Sequence, residues 1–145
     1  MENNTIKVKY FGDAEKLEKT AKGDFVDLRS SVTMDIKKGT FYLIPLGVAM
    51  KLPEGATGLI VPRSSTFQKF GIIQTNSIGI VDNSYCGDLD QWLYPVYATR
   101  DAKITRGDRI CQFAILDFHM REMSFETVGH LEDENRSGFG STGIR

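Results

Sequence analysis

Gly79-Ile80-Val81-Asp82-Asn83-Ser84-Tyr85-Cys86-Gly87-Asp88-Leu89 sets an apolar run against a polar turn that carries one carboxylate and one aromatic ring. Ile78, Ile80 and Val81 have strand chemistry, and Asn83-Ser84 have turn chemistry. Gly87 permits a backbone path that a side chain would obstruct, so the stretch reads as a β-hairpin whose second strand begins at Leu89. An acid in such a turn is ordinarily a solvated turn former. It becomes a catalytic candidate only in company, because loops carry function out of proportion to their length.

Outward from this hairpin the chain keeps the same short rhythm. Strand patterns run over Thr5 to Tyr10, Val26 to Val32, Thr40 to Leu52 with a break at Pro45, and Gly58 to Val61. They continue over Ile72 to Gln74, Ile78 to Val81, Leu89 to Ala98, Ile104 and Ile110 to Leu116, and Met120 to Val128 reads as a further strand at an edge or interface. Ala14 to Ala21 is charged and reads as a loop or a single frayed helical turn. One helix is expected, Ser64 to Phe70, capped by Ser64 or Ser65, with Phe67 and Phe70 on one face and Gly71 as its stop. Many short strands with frequent turn signals predict an all-β fold, a sandwich or jelly-roll-like barrel.

A chain of 145 residues makes one domain with a real core. Its net charge of -1 gives no general attraction to nucleic acid or anionic membrane, so an anion site has to be local. No apolar run approaches the length of a membrane span, and Cys86 and Cys111 lack both disulfide-framework and metal-ligand spacing. The expected setting is cytoplasmic. His119 and His130 sit in no motif and are expected at the surface or in packing.

Residues 131–145 differ in kind. An acidic stretch leads into Arg136-Ser137-Gly138-Phe139-Gly140-Ser141-Thr142-Gly143, which is too rich in glycine to repay its own ordering entropy. The expectation is a barrel domain over 1–130 and a flexible glycine-rich C-terminal arm over 131–145, disordered or ordered by a ligand.

Three stretches offer phosphate-binding chemistry. Pro62-Arg63-Ser64-Ser65 places a guanidinium and two hydroxyls where the helix starts; otherwise it is a capped helix with a surface arginine. Gly138 to Gly143 offers backbone N–H groups near Arg136, or is a plain loose terminus. Gly107-Asp108-Arg109-Ile110-Cys111-Gln112 is a turn and a strand with an amide among apolar residues, which a structural hydrogen bond would also explain.

In content and order these segments resemble the five motifs of the trimeric dUTPase family, across nearly the whole chain. The second motif matches Pro62 to Ser65, the third Gly79 to Gly87 preceded by Asn76, the fourth Gly107 to Gln112 and the fifth Gly138 to Gly143. The first motif keeps only Asp27-Leu28 of the family pattern, and Arg136 stands closer to Phe139 than the family's arginine stands to its phenylalanine.

The resemblance implies a homotrimer of β jelly rolls. By the same resemblance it would hydrolyse dUTP to dUMP and pyrophosphate with Mg²⁺, which would keep uracil out of DNA and supply dUMP for thymidylate synthesis. Each site would lie at a subunit interface, closed by a neighbour's arm. Asp82 would act on the attacking water, Tyr85 would exclude a 2′-hydroxyl, and Asn76 would contact the base, with Gly79 and Leu89 in the same hairpin. Arg63, Ser64, Ser65, Gln112, Ser141 and Thr142 would contact phosphates, with Arg136 as the arm's catalytic cation, and Phe139 with Gly140 would close over the uracil. Asp27 would reach Mg²⁺ through water.

Two rivals share the scaffold. dCTP deaminase carries a glutamate ten positions beyond the matching aspartate, and Trp92 stands there in this chain. A catalytically silent nucleotide sensor would bind dUTP without turning it over. Trp92 and Tyr94 alternate along a strand and are expected in the core or a subunit interface.

Overall fold

The computed structural model describes residues 4–117 and 120–137. Among these the strands are β1 (Lys7–Tyr10), β2 (Val26–Arg29), β3 (Met34–Ile36), β4 (Phe41–Pro45), β5 (Val48–Lys51) and β6 (Ala56–Val61). After one helix, α1 (Thr66–Phe70), come β7 (Ile72–Gln74), β8 (Gly79–Val81), β9 (Leu93–Ala98), β10 (Ala102–Ile104) and β11 (Arg109–Asp117). All pairings are antiparallel. A four-stranded sheet has the order β2-β11-β6-β8 and a three-stranded sheet the order β4-β9-β7, joined by the ribbons β1-β5 and β10-β3.

Period-two burial builds the core. In β6, Ala56, Gly58 and Ile60 are buried while Thr57, Leu59 and Val61 are only partly so; in β9, Tyr94, Val96 and Ala98 are buried. Leu28, Ile36, Ile44, Val48, Met50, Ile72, Trp92, Ile104 and Phe113 join them in one cluster fed by every sheet. Trp92 meets Phe113 edge to face at 5.2 Å, the geometry that ring quadrupoles favour. Trp92 and Tyr94 are therefore core residues.

Four local expectations are corrected. The strands flanking Asp82 do not form a hairpin: β8 pairs with β6, and β9 pairs with β4 and β7. Alternation identifies a strand without naming its partner. The second strand starts at Leu93 rather than Leu89 because Gly87 and Asp90 close a reciprocal turn, Gly87 N–H donating to Asp90 Oδ2 at 2.8 Å and Asp90 N–H to the Gly87 carbonyl at 3.1 Å.

In α1, Ser65 is the N-cap but its side chain makes no capping bond, since its own backbone is already right-handed helical (φ -96, ψ -2). Thr66 holds the turn instead, accepting from Arg63 N–H at 2.8 Å and donating to the Ile110 carbonyl at 2.9 Å. Gly71 ends the helix in the left-handed region at φ 66, where a side chain would be strained. Phe70 packs on the core while Phe67 stays 56% exposed.

Residues 120–128 form no strand. After a 3-10 turn at Met120–Glu122 the chain has no regular structure through 137, and Phe125 is 91% exposed. A strand needs a ladder partner, and none is supplied within this chain among the described residues.

Candidate active site

A cleft of about 350 Å³ opens where β8 and its following loop face the start of β9. Asp82, Tyr85, Asn76 and Gly79 all line it, so the structure gathers four of the residues singled out in the sequence. Asp82 is the one charged side chain on its wall among the described residues. It also borders an adjoining cleft, shared with Ser84 and Ile80, that runs to Thr57 and Met120.

The loop is held by polar contacts that periodicity does not reveal. Asn83 Nδ2 donates to the carbonyls of Pro53 and Ala56, both at 2.8 Å, which staples the loop to the turn before β6. Tyr85 N–H donates to the Asp82 carbonyl at 3.0 Å, and the Tyr85 hydroxyl donates to the Gln91 carbonyl at 2.8 Å, so the ring is tied at both ends. Asn83→Ala is expected to lower stability by about 1–3 kcal/mol, because two bonds vanish and two carbonyls lose a donor. Thermal unfolding measures this.

The glycine at 79 is a matter of space. A Cβ built there would stand 3.1 Å from Ile60 Cβ and 3.5 Å from Asn76 Nδ2, so a side chain would crowd the amide that faces the cleft.

A second cluster forms apart from the cleft. Arg63 Nε pairs with Asp27 Oδ1 at 3.0 Å, Arg63 Nη1 donates to the Arg109 carbonyl at 3.2 Å, and Arg109 Nη1 reaches Asp27 Oδ2 at 3.4 Å. Gln112 lies level with both Asp27 in β2 and Val61 in β6, and its Nε2 donates to the Pro62 carbonyl at 3.1 Å. The candidate first, second and fourth motifs thus meet in one row. Burial, and secondarily the Asp27 charge, pushes the Cys111 thiol beneath this row well up from its ordinary range.

Along β6 the side chains alternate, so Ile60 turns inward toward the cleft while Val61 shares the outward row with Asp27 and Gln112. Ile80, level with Leu59 on that same outward face, also lines the cleft, so the cleft wraps the β8 edge of the sheet and draws on both of its faces.

Other expected residues are not brought together. Ser64 and Ser65 sit at the head of α1, Ser64 exposed. Leu89 is 87% exposed and does not line the cleft. Arg136 is exposed in the segment 131–137. Phe139, Gly140, Ser141 and Thr142 lie outside the described residues, as does His119. Arg109, Gln74, Asn83, Ser84 and Gln91 join the sites without having been singled out. Arg109 and Asn83 lay inside quoted motifs, but their contacts span 82 and about thirty positions, beyond any local pattern.

Among the described residues no group of three or more His, Cys, Asp or Glu stands together. The described residues thus offer no all-protein metal cage, and Asp27 stands between two arginines. That donor set fits a Mg²⁺ ligated mainly by phosphate oxygens and reached through water. Trp92, at the position of the deaminase glutamate, is 1% exposed and offers no base.

Comparison with known proteins addresses the family and the fold. The family model described as dUTPase matches residues 18–143. The SPbeta prophage-derived deoxyuridine 5'-triphosphate nucleotidohydrolase YosS of Bacillus subtilis is 50% identical over 97% of this chain and 99% of its own. The deoxyuridine 5'-triphosphate nucleotidohydrolase of Neorickettsia sennetsu is 40% identical over 81% of this chain and 80% of its own. Among solved structures, a mutant dUTPase of Staphylococcus bacteriophage 80alpha with dUpNHpp superposes with a TM-score of 0.82 at 21% identity, covering 98% of this chain and 100% of that one. A mutant dUTPase from phage phi11 of S. aureus, described as revealing the coordination of a structural Mg(II) ion, gives a TM-score of 0.77 at 19% identity, covering 90% of this chain and 100% of that one. The two structural likenesses speak for the fold, and the family match with the sequence relatives identifies this chain as a member of the dUTPase family.

Proposed function

We infer that this chain hydrolyses dUTP to dUMP and pyrophosphate. The observation that carries the reading is the cleft itself: one carboxylate, one pinned tyrosine and the Asn76 side-chain amide over a glycine floor. Asp82 holds the attacking water and takes its proton as the water's oxygen bonds to the α-phosphorus; the bond to the bridging oxygen breaks and pyrophosphate leaves. Tyr85 lies against the sugar, its ring fixed through Gln91, and leaves no space for a 2′-hydroxyl. Arg63, Gln112 and the serines at 64 and 65 bind phosphate oxygens. Asp27 orders water toward Mg²⁺, which, when bound, neutralises the triphosphate and fixes its geometry.

The active assembly proposed is a homotrimer with shared sites. A triphosphate leaving a cleft whose wall bears a single negative charge needs cations, and among the described residues neither Arg63 nor Arg109 lines that cleft. A neighbouring copy supplies them. The outward face of β4-β9-β7 offers an apolar surface for that contact: Phe41 pairs with Tyr97 and Tyr97 with Ile73, and all three are about half exposed. The arm over 131–145, with Arg136, Phe139, Gly140, Ser141 and Thr142, closes the site over the base and phosphates and excludes water. A cytoplasmic setting accords with two free cysteines, Cys86 exposed and Cys111 buried.

The test is pyrophosphate release from each deoxynucleotide and from UTP, with Mg²⁺ present and with the assembly mass measured by sedimentation. Hydrolysis of dUTP is expected, with little from dTTP, dCTP or UTP. Binding of dUTP without turnover would instead assign the chain to the silent-sensor class.

A further inference from the structure

Gln74 lines the cleft beside Asn76 and is buried, 7% exposed. Its Nε2 makes two bonds, donating to the Ile60 carbonyl at 2.9 Å and to Asn76 Oδ1 at 2.9 Å. These bonds set a direction. A backbone carbonyl only accepts, so the Gln74 atom facing Ile60 has to be the nitrogen. The second hydrogen on that nitrogen then requires an acceptor, so the Asn76 atom facing it has to be the oxygen. Asn76 Nδ2 is left on the other side, standing over Gly79. The orientation of an amide that could otherwise flip is thereby dictated by a group that cannot.

The arrangement is poorly suited to a merely structural role. Gln74 Oε1 is buried and accepts no hydrogen bond among the described residues, a cost that an apolar side chain of equal length would avoid. Whatever retains a glutamine there is served by its donor side, which acts on Asn76.

We propose that Gln74 is a specificity-determining positioning residue: it locks Asn76 with Nδ2 toward the cleft, so that the site donates to the 4-carbonyl of uracil and rejects the 4-amino group of cytosine. The proposal rests on the base occupying this cleft, as inferred above. With Asn76 turned the other way, its oxygen would face the base and welcome an amino group. The Ile60-Gln74-Asn76 relay therefore separates two pyrimidines that differ little in shape.

Gln74→Met tests this, because it keeps length and apolar volume while removing the donor. The ratio of kcat/KM for dUTP to that for dCTP is expected to fall about tenfold, the worth of one oriented hydrogen bond, with the change mostly in KM. A modest drop in thermal midpoint is expected, because the Ile60 carbonyl loses this donor, and the dUTP-to-dCTP ratio is the readout that such a structural loss alone would not move. A folded Gln74→Met protein whose ratio stays at the wild-type value overturns the proposal.

Should that variant not fold, the wild-type protein decides the matter by NMR of its side-chain amides. Titration with dUMP is expected to shift the Asn76 Nδ2 protons strongly, and dCMP at the same concentration to leave them unmoved. A dUMP titration that moves the backbone amides of 79–85 but not the Asn76 side chain overturns the proposal as well. If wild-type protein neither binds dUMP nor cleaves dUTP, the function reading itself fails, an outcome separable from both.

Discussion

Asp82→Asn is expected to lower kcat for dUTP by about 10³-fold, in the range associated with loss of a general base, while dUTP binding changes little. The substitution preserves shape, and none of the loop's anchoring depends on the Asp82 carboxylate. The anchors are Asn83 to Pro53 and Ala56, Tyr85 to Gln91, and the backbone bond from Tyr85 to the Asp82 carbonyl. Asp82 is also the only charged group on the cleft wall among the described residues, so no neighbour stands ready to replace it. Single-turnover pyrophosphate release, paired with calorimetric binding of a non-hydrolysable dUTP analogue, separates the two effects. Retention of a tenth or more of the wild-type rate in a clean preparation would remove Asp82 from the base role.

Arg63→Ala should rank second, with kcat/KM falling about 10²–10³-fold, the loss typical when a donor to developing charge is removed. Arg63 is placed by two contacts at once, Asp27 Oδ1 at 3.0 Å and the Arg109 carbonyl at 3.2 Å. Such a fork holds the guanidinium plane in one attitude, which a lysine ammonium cannot reproduce, so Arg63→Lys should recover only part of the activity. Stability should hardly respond, because both partners of the ion pair retain about a quarter to a third of their side-chain surface. Steady-state kinetics across Mg²⁺ concentrations, with thermal unfolding alongside, checks both statements. Near-normal catalysis by Arg63→Ala would displace this row from the phosphate site.

Much of the architecture is legible along the chain because burial alternates with the strand period. Val81, Tyr94, Val96 and Phe113 point inward where the pattern says they should. Partnership is another matter. The two strands around Asp82 are neighbours in sequence yet belong to different sheets, because Gly87 and Asp90 close a turn between them and Val81 finds its place opposite Gly58. The candidate site divides in the same way. Asp82 and Tyr85 carry their chemistry in a few consecutive letters. Gln74 looks like any polar residue at the end of a strand until Ile60, fourteen positions earlier, is seen to accept from it. Residue type points to the hydroxyl of Ser64 or Ser65 as the cap of a helix that Thr66 in fact secures, since capping preference describes residue types while φ and ψ decide which oxygen can reach.

Trp92 is the sole indole of the chain, and it lines the cleft proposed to hold the nucleotide while its ring rests edge-on against Phe113 in the core. Its fluorescence therefore arises from one known place, shielded from water and on the wall of the cleft proposed for the base. Occupancy of the site and loosening of the interior can both be followed on unlabelled protein, as changes in intensity and as a red shift respectively.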